Sequence, residues 1–454
     1  MNSITGTFIT PDDEGFDAAR QAWNLAVDQR PAAVAYANDA ADVAAAVRMA
    51  AERGLRVAVQ GPGHGAAVLG DLADTLLLKT MRMTGLELDP GARRARVDAG
   101  VLWADVAVAA GEHGLAALHG SSPDVSVVGY SLGGGLGWLG RRHGLACNSV
   151  VAAEVVTADG EARRVGPDEE PDLFWALRGG GGTFAAVTAL EFELVPLTEV
   201  YAGWLVWEAD AGGEVVHAYR EWARRAPREV TTALRFLHLP PFPDVPEPLR
   251  DRPVVTVDGA FLGDEADGAE LLRPLREVAA PLVMDTFATI PAPGLVRLHG
   301  DPEQPVPGIG DGLQLRELTP EAADAFVEVG GPGSGSPLLG LELRQLGGAL
   351  AEAPDGAGAL AALPDEFTLF GVGIAMGAGM AEAIDGHLER VKQAMAPWRG
   401  GIYLNFAEHA GRDVADAFDA GTYARLREIK ARYDGGDLFR SNHPVEPALR
   451  PAAT

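Results

Sequence analysis

Arg56-Val57-Ala58-Val59-Gln60-Gly61-Pro62-Gly63-His64-Gly65 is a short alternating run that empties into a glycine-rich loop ending on histidine. Leu55 to Val59 alternates as a strand does. The glycines beyond it let backbone N–H groups approach a ligand that a Cβ would exclude. His64 adds a ring nitrogen that is a nucleophile when neutral. Upstream, Asn38 and Asp39 are cap residues and Asp42 suits a first helical turn. Val43, Val47 and Ala50 recur at helical spacing and Gly54 stops the helix, so the loop closes a helix–strand unit.

Working outward, two further glycine clusters follow, at 129–137 and in Arg178-Gly179-Gly180-Gly181-Gly182, the latter after the helix-like Asp172–Leu177. Between them lie a strand–helix unit over Ala95–Gly114, with Trp103, Val106 and Ala110 on one face, and a strand over Val150–Thr157 before the turn Ala158-Asp159-Gly160. Phe184–Leu194 alternates again. Three such loops in the first 200 residues imply one large phosphate-bearing cofactor. Two strings suggest other chemistries. Gly129-Tyr130-Ser131-Leu132-Gly133 fits the nucleophile elbow of α/β-hydrolases, but it leads into Gly133-Gly134-Gly135, a poor helix start at about 1 kcal/mol per glycine. Gly135-x-Gly137-x-x-Gly140 fits a dinucleotide fingerprint without opening a clean βαβ unit.

After about Pro196 the texture changes to strand-like runs (Trp204–Glu208, Thr231–Leu237, Val254–Phe261, Leu338–Leu346, Thr368–Ile374) among long connections. Pro and Gly between Pro291 and Gly312, and again between Gly330 and Gly335, read as loops. A chain of 454 residues exceeds one compact core, and the second texture is an α+β domain on a mostly antiparallel sheet backed by helices. A net charge of -27 argues against nucleic acid, and no apolar run reaches the ~18–20 residues of a membrane span. Met1 to Glu14 has neither a basic patch nor an apolar stretch, which reads as cytoplasmic. The single cysteine, Cys147, excludes a disulfide framework and a cysteine-rich metal site.

The motifs together resemble the FAD-linked vanillyl-alcohol oxidase and berberine-bridge enzyme family. Arg56–His64 resembles its flavin-attachment loop, Ser122-Pro123-Asp124 through Gly137 its second FAD loop, and Asp172–Phe184 its third signature. Tyr403-Leu404-Asn405-Phe406 and Tyr433–Asn442 are similar to its closing motifs. The resemblance implies a two-domain FAD-binding fold of the p-cresol methylhydroxylase type. Residues 1–200 would bind FAD, 201–410 the substrate, and 411–454 would complete the FAD domain. It implies FAD held covalently by His64 and contacted by Gln60, Gly61, Pro62, Gly63, Gly65, Ser122, Pro123, Val127, Gly129, Gly133, Gly134, Gly137, Asn405 and Asn442. Ser122 stands where some relatives carry a cysteine that makes a second flavin bond, so a single link is expected. Lys79, Thr183 and Ala185 depart from the family pattern.

The activity implied is hydride transfer from a C–H bond next to oxygen or nitrogen of a small molecule to flavin, with dioxygen as the expected acceptor; the alternatives are a flavin dehydrogenase using another acceptor and a flavin-binding protein without turnover. Glu342 and Arg344 share one face of a strand and match substrate-contacting positions of an amine-oxidising member. Tyr403 and Asn405 are expected together on a second strand face. Tyr403 is the first candidate for the substrate's proton, provided a nearby positive charge lowers its pKa from about 10, and Glu342 is the second. Tyr130 is expected to line the same pocket.

Overall fold

The computed structural model describes residues 4–241, 245–409 and 413–449. The helix Ala40–Glu52 begins at Asp39, whose side chain accepts from the Asp42 N–H at 2.9 Å, and it leads into the strand Arg56–Gln60. That strand lies in a five-stranded sheet ordered Thr7–Ile9, Ala33–Tyr36, Thr75–Lys79, Arg56–Gln60, Phe439–Arg440, parallel except for its first pair. The closing stretch thus supplies the neighbour of the histidine-bearing strand. The expected boundary at 410/411 lies outside the described residues.

An antiparallel five-stranded sheet (Leu86–Asp89, Arg94–Asp98, Ala186–Glu193, Val150–Val156, Ala162–Val165) stands beside the first. Between its core and the C-terminal helix Ala420–Tyr433 runs a buried tether. Lys430, with no exposed surface, donates to the Thr183 carbonyl at 2.8 Å and pairs with Asp434 at 2.6 Å. Thr183, one departure from the family pattern, therefore takes part through its backbone.

The third sheet has eight strands, all antiparallel. Along it run Glu199–Glu208, Pro253–Phe261, Val230–His238, Gly340–Gln345, Phe367–Ile374 and Gly308–Leu315. Alternation assigns its two faces. Leu205, Leu234, Leu341, Leu343 and Leu369 pack against the helices Gly212–Ala223, Pro320–Gly330 and Met380–Met395. Trp204, Arg235, Leu237, Glu342, Arg344, Phe370 and Val372 point the other way, into a cavity.

Gly308–Leu315 corrects the expectation of a loop from Pro291 to Gly312. Its glycines are required by close approach. A Cβ at Gly312 would lie 2.5 Å from the Leu369 carbonyl oxygen, and one at Gly310 2.6 Å from the Phe370 ring. Among the described residues no helix is long and apolar enough to cross a membrane.

Candidate active site

A cavity of about 500 Å³ separates the glycine loops from the eight-stranded sheet. Gln60, Gly61, Pro62, Gly63, His64, Gly65, Ser122, Gly129, Tyr130, Gly133, Glu342, Arg344, Tyr403, Asn405 and Asn442 all lie on its wall. Pro123, Val127, Gly134 and Gly137, also expected to touch the cofactor, are not among the residues that line this cavity. Val127 is fully buried in the core. Gly134, at φ +114°, packs on Leu360 and Tyr403, and a Cβ at Gly137 would meet the His119 carbonyl at 1.9 Å. These two glycines serve chain-to-chain contact. Gly129 and Gly181 behave differently: both line the cavity, and a Cβ on either would meet no protein atom within 4 Å. Tyr130 Oη, Ser441 Oγ and, from the sheet side, Arg235 Nη2 line the same cavity and are buried without a partner among the described residues. An open backbone cradle beside unfilled polar atoms suits a large polar-edged cofactor such as FAD.

His64 is fixed from two sides. Its ring stacks on Trp23 with centroids 3.9 Å apart, and its Nε2 faces the Asp124 carbonyl oxygen at 3.3 Å. Trp23 Nε1 donates to Asp124 Oδ2 at 2.5 Å, locking the pair. Lys79 pairs with Gln60 across the neighbouring strand, its Nζ donating to Gln60 Oε1 and, at 2.9 Å, to the Gln21 carbonyl. Burial pushes this lysine down to about 8.

Ser122 does not face the cavity alone. Its hydroxyl donates to Asp301 Oδ2 at 2.7 Å, with Ser121 donating to the same oxygen at 3.1 Å. Asp301 continues into a chain of charges that the sequence reading missed. His299 Nδ1 meets Asp301 at 2.7 Å and its Nε2 meets Glu342 at 2.6 Å. Arg344 Nε donates to Glu342 at 2.7 Å, and Arg235 Nε to Asp258 at 2.8 Å. Burial and the Arg235 charge push His299 down, but the carboxylates of Asp301 and Glu342 outweigh them and raise it. Burial opposes ionisation of Glu342, yet Arg344 and His299 hold it at about 2. Arg235 could have been found as the one cation in the apolar run of its strand. His299 gave only a His-x-Asp in a loop.

Tyr403 is not on a strand. It precedes a short 3₁₀ turn, Leu404–Phe406, so the expected strand face shared with Asn405 is corrected. The turn still joins them: Asn405 Nδ2 donates to Tyr403 Oη at 3.0 Å, as do the N–H groups of Gly135 at 3.0 Å and Leu136 at 2.9 Å. Backbone and amide dipoles therefore stand where a positive charge was expected. Burial pushes the phenol well above its ordinary value, and these hydrogen bonds only partly offset it. Ser131 lies inside the helix Val127–Leu132, 3% exposed, in place of a hydrolase turn. Cys147 is a buried thiol pushed up to about 12 by desolvation.

A family model described as "FAD binding domain" matches residues 31–166, and one described as "Berberine and berberine like" matches residues 402–446. (R)-6-hydroxynicotine oxidase of Paenarthrobacter nicotinovorans is 30% identical over 468 residues, spanning 98% of this chain and 97% of that one. Glucooligosaccharide oxidase of Sarocladium strictum is 32% identical over 279 residues, 60% of this chain and 53% of its own. The crystal structure of 6-hydroxy-D-nicotine oxidase from Arthrobacter nicotinovorans superposes with a TM-score of 0.83 at 25% identity, covering 99% of both chains. The chain belongs to the berberine-like family of FAD-linked oxidoreductases. It is an FAD-dependent enzyme of the two-domain α+β type that the first motifs implied.

Proposed function

We propose that this enzyme is an oxidase carrying one covalent FAD on His64. It would oxidise a C–H bond next to oxygen or nitrogen of a small molecule and pass the electrons to dioxygen as hydrogen peroxide. The observation that carries this reading is the cavity itself, with a fixed loop histidine and open glycine backbone on one wall and a charged strand face on the other. With Nε2 of His64 turned to Asp124, Nδ1 is the nitrogen left for the tether. Bound there, FAD would supply the hydride-accepting centre.

The protein's part is orientation and proton handling. Glu342 is already ionised and held by Arg344 and His299, which makes it a weak base and a rigid acceptor for a substrate O–H or N–H. Tyr403 is proposed to take the substrate's proton. To act as that base Tyr403 must first be a phenolate, whose charge the three N–H donors on its oxygen stabilise, and the proton it takes returns it to the neutral phenol. Ser122, engaged by Asp301, would leave the tether single.

The test is anaerobic mixing of the purified yellow protein with a panel of alcohols and amines, followed by air. Bleaching of the flavin colour, then its return with peroxide, is expected. A flavin reduced by dithionite but by no organic compound would mark a cofactor-bearing protein without turnover. Return of colour only on adding an artificial acceptor would mark a dehydrogenase.

A further inference from the structure

The charged side chains on the substrate-side wall nearly cancel. Arg235 is matched to Asp258, Arg344 to Glu342, and His299 sits between Glu342 and Asp301. Three basic groups face three carboxylates, a set that is neutral once His299 is protonated.

Glu408 lines the same cavity outside this set. Among the described residues no side chain donates to its carboxylate. Its backbone N–H donates to Asp311 Oδ1 at 3.3 Å, and Asp311 is paired with Lys392 at 2.8 Å. The carboxylate lies where the chain has withdrawn its side chains: a Cβ on Gly310 would come within 3.1 Å of Glu408 Oε2 and 2.6 Å of Phe370 Cζ. Phe370 and Phe406, both on the cavity wall, stand with ring centroids 4.7 Å apart. An acid with no ionic partner among the described residues, beside two aromatic rings, has the chemistry that holds an organic cation, by a charge-assisted hydrogen bond or by attraction to the ring faces. Much of the remaining sheet wall is apolar, through Leu237, Leu339, Val372 and Ile374, and offers few partners for the hydroxyls of a sugar.

We propose that Glu408, with Phe370 and Phe406, forms a subsite for a positively charged nitrogen, so that the substrate is an amine-bearing molecule with an apolar body. The assignment rests on the oxidase reading for its reaction, and deepens it by naming the substrate class. Burial and the Asp311 charge push Glu408 up to about 7, so the subsite gains its charge as pH rises through neutrality. Among the described residues the other ionisable groups near it are already engaged. Lys392 is shared by Asp311 and Glu389, Asp385 faces His409 at 3.3 Å, and Arg344 stands 5.6 Å from the Phe406 ring while paired with Glu342.

The test is calorimetric titration of the holoprotein with benzyltrimethylammonium and, as a neutral aromatic control, benzyl alcohol. Glu408→Gln keeps the shape and removes the charge, and Glu408→Asp keeps the charge. The cation is expected to bind wild type roughly 10- to 100-fold more tightly than Glu408→Gln. Its affinity should rise as pH passes about 7 in wild type, stay flat in Glu408→Gln, and return in part in Glu408→Asp. Benzyl alcohol should not distinguish the proteins. Equal affinity of wild type and Glu408→Gln for the cation, or no binding to wild type, would overturn the subsite. Calorimetry needs no turnover, so a subsite that binds in a protein whose flavin no substrate reduces would separate this inference from the oxidase reading.

Discussion

On one wall the cavity meets Gly61, Gly63, Gly65, Gly129, Gly133 and Gly181, drawn from three short runs of chain in which neighbours in sequence are also neighbours in space. On the opposite wall it meets side chains from strands far apart in the chain: Trp204, Arg235, Glu342 and Phe370, with His299 from the loop between. The first wall is a local construction and the second a tertiary one. On the proposed reading the local wall would hold the cofactor, and the assembled wall is where a substrate would be chosen.

Four substitutions break or sharpen this contrast. His64→Ala strikes the local wall at one atom and has the largest expected effect. Wild-type protein should keep its colour through acid precipitation, and the variant's flavin should be released completely. A yellow precipitate from the variant would place the tether elsewhere.

Tyr403→Phe touches both walls, because its oxygen receives N–H groups from the second glycine loop. At equal flavin content, reduction by whichever substrate bleaches wild type should slow by about 10²–10⁴-fold. In wild type that rate should climb with pH, since burial holds the phenol above its ordinary value. A loss under about threefold would move proton handling off Tyr403. Two backbone N–H groups also lose their acceptor, so a fall in stability of about 1–3 kcal/mol is expected alongside.

Arg344→Met attacks the assembled wall alone. It leaves Glu342 buried with one partner fewer, and denaturant unfolding should show a loss of roughly 3–5 kcal/mol at neutral pH. The sign with pH follows from Glu342, lowered from 4.5 to about 2 in the fold. Its stabilisation is present above 4.5 and lost as pH falls towards about 2, and that acid-sensitive portion should shrink in the variant. Unchanged acid unfolding would show that His299 alone suffices.

Lys79→Met is the mildest. Buried Lys79 releases its proton near 8 while the unfolded chain keeps it to 10.5, so wild type should gain stability as pH rises across that window. The gain should be no more than about 3 kcal/mol and absent from the variant, as read by paired denaturation curves.

The same contrast explains what the sequence disclosed. The histidine loop was legible because Gln60 to Gly65 are consecutive and sit between a strand and a turn. Glu342 and Arg344 were legible as a pair by alternation, but their burial between His299 and Trp138 was not, since those partners are 43 and more positions away. Gly310 and Gly312 misled because glycine ordinarily weakens a strand, whereas here neighbouring atoms occupy the space of their side chains. In the second loop, spacing could not separate glycines that face the cavity from Gly134 and Gly137, which face their own chain.

The pairing of Phe439–Arg440 with Arg56–Gln60 also sets a timetable. Synthesis proceeds at about 5–20 residues per second, so the histidine strand waits some tens of seconds on the ribosome for its last partner. Until then one edge of the first sheet is open, an invitation to wrong pairing in the nascent chain. Asn442, which abuts Gly65 on the completed loop, arrives later still. The proposed tether at His64 would therefore form only after this pairing, and a truncation of the last dozen described residues should yield protein that never turns yellow.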